Sequence, residues 1–236
     1  MSKLISEISF FLPCYNEEKN IKRSVLDVKR VLEKIADKWE IVIVDDGSKD
    51  KTGAIADDLS NRIKRVEVVH NRPNRGYGGA LKSGFEASRY EWVAFADSDG
   101  QFDYSEIVKF IEKQKQTNAD LVLGIRGKRA DSFMRKLFTL VWSKILPRIL
   151  LGLRVTDYSC GFKLIRKSVY ESVQPLVGEE KVTQIELLTK AQRKGYKFAE
   201  VKVKHLPRQF GHQTGADLKV IIKSIKDLLK LWAQLR

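Results

Sequence analysis

Cysteine is scarce in this chain of 236 residues: Cys14 and Cys160 are the only two. They lie far apart with no metal-ligand spacing. That excludes a disulfide framework or a cysteine zinc site and points to a reducing, cytoplasmic compartment. Long apolar runs are missing as well, and none approaches the ~20 residues of a membrane span. The opening Met-Ser-Lys-Leu-Ile-Ser-Glu lacks the apolar core of a secretory signal. Internal repeats, low-complexity tracts and linker-like stretches are absent too, so one domain, 1–236, is the economical reading. Acid is in short supply: 30 acidic residues stand against 44 basic ones, a net charge of +14.

What is present describes a soluble globular protein, with 43% hydrophobic and 31% charged residues. The positive excess sits in two segments, Arg126–Arg148 and Lys202–Arg236, each contributing +6. Such a distribution predicts a negative partner: phosphates, an anionic membrane or nucleic acid.

Apolar periodicity predicts an alternation of strands and helices. Strands are expected at Ile8–Leu12, Ile41–Val44, Val66–Val69, Trp92–Ala96, Ala119–Ile125, Gly161–Ile165 and Phe198–Val203. Helices are expected at Glu17–Asp37, Thr52–Arg62, Tyr77–Ser88, Ser105–Gln116 with Ser105 as N-cap, Val182–Lys194 and Asp217–Trp232. Phe133–Leu151 reads as one or two helices broken near Pro147. The fold class is α/β, a single mostly parallel sheet flanked by helices. Ligands of such sheets bind at the carboxyl ends of the strands. Tyr15–Glu18, Asp45–Ser48, Asn71–Gly79 and Asp97–Gln101 all fall there.

Asp97-Ser98-Asp99-Gly100-Gln101 follows a short apolar run. Paired carboxylates in a glycine-loosened turn suit Mg²⁺ or Mn²⁺, although the same residues also suit an ordinary strand-to-helix turn. Asp45-Asp46-Gly47-Ser48 offers carboxylates to a ribose or a base edge. Asn71–Ala80 is glycine-rich and opens a helix, like a phosphate cradle. Its spacing fails the dinucleotide pattern, because Leu81 occupies the third glycine position. No Walker-type loop is present. The carboxylates at the strand ends also argue against nucleic acid as the partner.

Pro13-Cys-Tyr-Asn-Glu17, Ile43-Val-Asp-Asp46-Gly-Ser, Asn74-Arg-Gly-Tyr-Gly-Gly-Ala80, Asp97-Ser-Asp-Gly-Gln101 and Asp157-Tyr-Ser-Cys-Gly-Phe162 occur in that order. Together they resemble glycosyltransferase family 2, with its GT-A fold. The similarity, over about 8–215, is to the dolichyl- and polyprenyl-phosphate sugar synthase branch that includes dolichol-phosphate mannose synthase. The resemblance implies an inverting hexosyltransferase that moves a sugar from a GDP- or UDP-sugar to a lipid phosphate. It divides the chain into a nucleotide-sugar half (8–125), an acceptor-side half (126–215) and a C-terminal amphipathic helix (216–236).

In the family the residues matching Pro13, Tyr15, Glu17, Val44 and Asp46 hold the nucleoside. Those matching Asp97, Asp99 and Gln101 hold the metal and diphosphate, with Ser98 beside them and Asp99 counted as catalytic. Asp157 is expected to orient the acceptor or sugar, or to act as base toward a hydroxyl acceptor. Arg126, Arg129 and Arg135 are candidates for the acceptor phosphate, since guanidinium forks match phosphate geometry. Arg208 matches the basic residue of a mobile segment covering the diphosphate, but Thr214 stands where relatives often carry Lys or Arg. His205 is a candidate third metal ligand, and Glu186 a candidate for sugar hydroxyls. His70 and His212 have no evident partner. Many relatives carry C-terminal transmembrane helices that the sequence here does not show. Docking on an anionic, cytoplasmic membrane face by the basic Phe133–Leu151 segment, the C-terminal helix or both is expected instead.

Overall fold

Ile8, Phe10 and Leu12 alternate with Phe11 and Pro13, and all five are buried. A strand apolar on both faces belongs inside a sheet covered on both sides. In the computed structural model, which describes residues 3–127, 146–180, 182–208, 210 and 218–235, this strand is β1 (Ile5–Cys14). It runs parallel to β2 (Ala36–Asp45) on one side and β4 (Trp92–Phe95) on the other, with β3 (Val66–His70) outside β2. Beyond β4 lies β6 (Lys163–Arg166), antiparallel to both β4 and β5 (Leu121–Arg126); β7 (Phe198–Val203) pairs with β5. The seven-stranded order is β3-β2-β1-β4-β6-β5-β7.

The two-residue period of the strands deals their side chains into two layers. Phe10, Leu12, Ile43, Ala94 and Phe162 pack under α1 (Ile21–Ile35), α2 (Thr52–Arg62) and α4 (Ile107–Thr117). Phe11, Val44, Phe95, Leu123 and Ile165 pack under α3 (Gly76–Ala87), α7 (Val182–Arg193) and α8 (Leu218–Gln234). Two short helices, α5 (Leu146–Leu151) and α6 (Lys167–Ser172), add Leu151, Val169 and Tyr170 to this second layer. Full burial of each large β1 side chain stabilises by about 2 kcal/mol, so the central strand is firmly anchored and its carboxyl end is a rigid platform.

The structure departs from the periodicity in instructive places. The α1 stripe of Ile21, Val25, Val28, Leu32 and Ile35 is buried as its spacing predicts, but the helix stops at Ile35 and β2 begins at once. Ile5 pairs with Ala36 there, and the Leu4 amide bonds the Ile35 carbonyl. Pairing with β1 ends the helix where the local sequence carries no Gly or Pro stop. Asp103, not Ser105, caps the helical segment that opens with the 3-10 turn Tyr104–Glu106, accepting from the Ser105 amide at 3.0 Å. The sequence reading also missed α6 and the antiparallel sense of β6. Most of Phe133–Leu151, together with Thr214 and His212, lies outside the described residues. Helix α8 packs Leu228 and Leu231 into the second core layer, so that part of its apolar stripe faces the protein rather than a membrane. No helix among the described residues is long and apolar enough to cross a membrane.

Candidate active site

Strands β1 to β4 are parallel, so the segments after Cys14, Asp45, His70 and Phe95 gather on one edge of the sheet. Hydrogen bonds stitch them into one rim. The amide of Asn16, itself in the left-handed region (φ 56°), donates to Ser48 Oγ at 3.0 Å. The Lys49 amide returns a bond to Asn16 Oδ1 at 2.8 Å, and the Glu17 amide donates to Thr52 Oγ1 at 2.8 Å. Asp46 is buried and accepts at Oδ1 from Asn71 Nδ2 (2.8 Å) and the Arg75 amide (3.0 Å). Gly47 allows this closure: its φ is +70°, and a Cβ there would lie 2.9 Å from the Asn74 amide nitrogen.

The glycine-rich Asn71–Ala80 segment is not an open phosphate cradle. A Cβ on Gly78 would meet Thr183 Oγ1 at 2.1 Å and the Glu180 amide nitrogen at 2.8 Å. Its glycines let the start of α7 press onto α3. His70 does have partners: Nδ1 lies 2.9 Å from Asp45 Oδ2, and Nε2 lies 3.0 Å from Asp57 Oδ1. Burial works to lower the His70 pKa, but the two carboxylates outweigh it and raise it above the ordinary value.

At the tip of β4 the side chains divide. Ser98 is buried, donates to the Pro13 carbonyl at 2.8 Å and thereby ties the turn to β1. Its hydroxyl is thus committed to a structural brace. Pro13 is buried as well, and Val44 lies wholly in the core, so neither presents side-chain surface to a nucleoside. Tyr15, 40% exposed, does stand at the rim. Asp97 and Asp99, only partly covered, flank Ser98. Asp97 accepts from Tyr77 Oη at 3.0 Å, and its carboxylate lies flush against Gly161, where a Cβ would be 2.2 Å from Oδ2. Asp99 accepts from the Gln101 amide at 3.1 Å.

Arg208 reaches into this group from the segment after β7. Its guanidinium bonds Glu17 Oε1, lies 3.8 Å from Asp99 Oδ2 and donates to the Phe210 carbonyl at 2.8 Å. The segment is strapped in place by Gln101: the Leu206 amide donates to the Gln101 carbonyl at 2.8 Å, and Gln101 Nε2 donates to the Leu206 carbonyl at 3.1 Å. His205 bridges Phe102 in the same strap, its ring edge-on to the phenyl at 5.4 Å. Among the described residues no three His, Cys, Asp or Glu side chains converge as a metal cage. A two-carboxylate site is nonetheless what Mg²⁺ or Mn²⁺ accepts when phosphate and water complete its shell.

The electrostatics fit that donor set. Burial first, and then the neighbouring Asp97 charge, push Asp99 up to about 6. Burial also raises Glu17, against the Asn20 hydrogen bond and Arg208, which lower it. These carboxylates are short of positive charge even with Arg208 among them, and a divalent cation would supply it.

Asp157 is the opposite case. Its Oδ2 accepts from Arg126 Nε and its Oδ1 from Arg126 Nη2, both at 2.8 Å, in a bidentate pair with Ser159 alongside. Burial would raise this carboxyl, but the Arg126 bonds and charge hold it at about 2. So paired, it is a poor base at neutral pH, which speaks against the expected role toward a hydroxyl acceptor. Arg126 in turn has most of its fork occupied. Arg129 and Arg135 lie outside the described residues. Glu186 is buried, accepts from the Gly178 amide at 2.6 Å and pairs with Lys190, so its role is structural.

The sequence reading overlooked three residues beneath Asp97: Tyr77, Gln184 and Lys163. Lys163 alone carried a signal. Between Phe162 and Leu164, which face one apolar layer, it alternates onto the other, where a charge is out of place. Burial pulls its pKa down to about 8.

Comparison with known proteins extends this geometry. The family model "Glycosyl transferase family 2" matches residues 9–174. An undecaprenyl-phosphate 4-deoxy-4-formamido-L-arabinose transferase of Pectobacterium atrosepticum is 30% identical over 219 residues, covering 92% of this chain and 65% of the relative. A dolichyl-phosphate beta-glucosyltransferase of Trichomonas vaginalis is 30% identical over 243 residues, covering 95% and 72%. Of two other curated relatives the chain spans 37% and 51%. Among solved structures, glucosyl-3-phosphoglycerate synthase from Mycobacterium tuberculosis, with Mn²⁺, UDP and glucosyl-3-phosphoglycerate, superposes with a TM-score of 0.70 at 23% identity, covering 97% of this chain and 80% of that one. The fold is therefore GT-A, and the chain belongs to glycosyltransferase family 2.

Proposed function

We propose that the protein is a metal-dependent, inverting glycosyltransferase that moves a sugar from a nucleoside-diphosphate donor to a polyprenyl or dolichyl phosphate. The observation that carries this reading is the cluster of Asp97, Asp99 and Glu17 around Arg208: carboxylates short of positive charge at the carboxyl ends of a GT-A sheet. The named relatives act on undecaprenyl and dolichyl phosphates. That similarity supports the acceptor class.

Asp97 and Asp99 would hold Mg²⁺ or Mn²⁺, with Gln101 bracing the turn beside them. When bound, the cation neutralises charge on the nucleotide leaving group. Tyr15 faces the nucleoside, and buried Asp46 holds the rim behind it through Asn71 and the Arg75 amide. Arg208 leaves Glu17 and Asp99 for the diphosphate, exchanging one pair of anions for another within its reach. An oxygen of the acceptor phosphate attacks the anomeric carbon, forming the new C–O bond. The bond from that carbon to the diphosphate breaks, and its electron pair departs on the nucleoside diphosphate. A phosphate acceptor is already anionic at neutral pH, so the step needs no base, and Asp157, held near 2, is free to fix Arg126 toward the acceptor. Exposed Ile149 and Leu229, with the exposed cations Arg148, Lys226 and Lys230, form the surface we assign to peripheral contact with an anionic, cytoplasmic membrane face.

The test is a thermal-shift panel of GDP- and UDP-sugars with and without Mn²⁺ or Mg²⁺. It is followed by incubation of the stabilising radiolabelled donor with polyprenyl phosphate and organic extraction. Metal-dependent stabilisation and label in the organic phase are expected. A response independent of metal, or label confined to the aqueous phase, overturns the reading.

A further inference from the structure

This mechanism uses Asp97 but gives no task to the buried lysine beneath it. Lys163 stands on β6 opposite Phe95 of β4, two residues before Asp97, and is 1% exposed. Its ammonium lies 5.5 Å from the centre of the Phe95 ring and donates to the Cys160 carbonyl and to Gln184 Oε1. A buried ammonium is costly, and an apolar side chain of similar length would fill the same space without that cost.

The bonds beyond the ammonium form a chain with one direction. Lysine has only donors, so the Gln184 oxygen must face it and the Gln184 nitrogen must face away. That nitrogen donates to Tyr77 Oη at 3.2 Å, and Tyr77, having accepted there, donates its own proton to Asp97 Oδ1 at 3.0 Å. Three donors in series run from β6, through α7 and α3, to the tip of β4. Gly161 lies flush against the same carboxylate, leaving it no room to swing back.

We propose that Lys163 is a positioning residue for the donor site: through Gln184 and Tyr77 it fixes the orientation in which Asp97 meets the metal and diphosphate. The ammonium acts through intervening dipoles and so does not occupy the place of the cation. The inference rests on Asp97 being a ligand of the divalent cation.

The test is the affinity for Mn²⁺, read by electron paramagnetic resonance with UDP present and again with GDP. Tyr77→Phe, Gln184→Leu and Lys163→Met are each expected to weaken Mn²⁺ binding about 10-fold, the lower end of what outer-shell partners of metal ligands usually cost. Nucleotide affinity without metal stays as in the wild type. The double variant of Tyr77→Phe with Lys163→Met is expected to bind Mn²⁺ no more weakly than the weaker single variant, because both cut one chain. Lys163→Met that loses thermal stability but keeps wild-type Mn²⁺ affinity overturns the proposal. Tyr77→Phe removes one oxygen and keeps the ring, so it decides the matter even if Lys163→Met does not fold: unchanged affinity there also overturns it. Asp97→Asn separates the two levels. Wild-type affinity in Asp97→Asn sinks the metal reading and the relay together, whereas loss there with unchanged relay variants sinks the relay alone.

Discussion

Asp99 and Asp157 are the same residue type at similar depth, and the protein treats them in opposite ways. Asp157 has its countercharge built in, a bidentate arginine that holds it near 2. Asp99 is pushed up to about 6 by burial and then by the neighbouring Asp97 charge, with Arg208 only at 3.8 Å. A carboxylate satisfied from within stabilises the fold. One left short of charge is an invitation to an external cation. On the proposed reading the acceptor side is thus finished by folding, and the donor side by its ligand.

The largest effect separating the two concerns metal-dependent turnover. Asp99→Asn is expected to reduce it by about 10³-fold, comparable with losing a principal electrostatic stabiliser, while thermal stability without metal holds or rises. Turnover and melting temperature, measured side by side, check both halves. Next in size, Arg126→Ala is expected to destabilise the fold by about 3 kcal/mol in urea denaturation, since it leaves Asp157 largely buried and unpaired. Equal destabilisation by Asp99→Asn would erase the distinction.

Acid sharpens the comparison further. Asp157, with its pKa depressed in the folded state, contributes stability above the unfolded value near 3.9 that is lost as pH falls toward 2. Asp99, with its pKa raised, does the reverse: the metal-free fold gains stability as pH falls from about 6 toward 4, because the folded state then binds the extra proton. Each term is about 2–3 kcal/mol. Denaturation of Asp157→Asn and Asp99→Asn across pH 2–8 is expected to flatten opposite limbs of the wild-type curve. The smallest effect is at His70, whose raised pKa gives stability present below about 6.5 and lost as pH rises through the folded value. His70→Gln is expected to remove that slope, worth about 1 kcal/mol or less.

Which of these features the sequence displayed depended on how far apart their partners lie. The helix Thr52–Arg62 and the strand Phe198–Val203 were legible to the residue, because local periodicity and flanking polar residues define them. Asp97 and Asp99 stood out as candidates because two carboxylates in one turn are a local signal. The start of β2 was not, since Ile5, 31 positions earlier, decides it. Ser98 and Val44 lie inside recognised motifs, and only the packing tells that one braces and the other fills. The Asp157–Arg126 pair spans 31 positions, and the Gln184–Tyr77 bond spans 107. No window of sequence contains either.

The strap between Gln101 and Leu206 sets a length. Arg208 follows Leu206 by two residues, and two residues of extended chain reach about 7 Å at most. With both Gln101 bonds closed, the Arg208 backbone therefore moves on a tether of that radius, centred beside the Asp99 turn. The side chain adds its own length to that radius, so the guanidinium can trade the Glu17 and Asp99 oxygens for others across the cleft while its backbone stays moored beside the Asp99 turn.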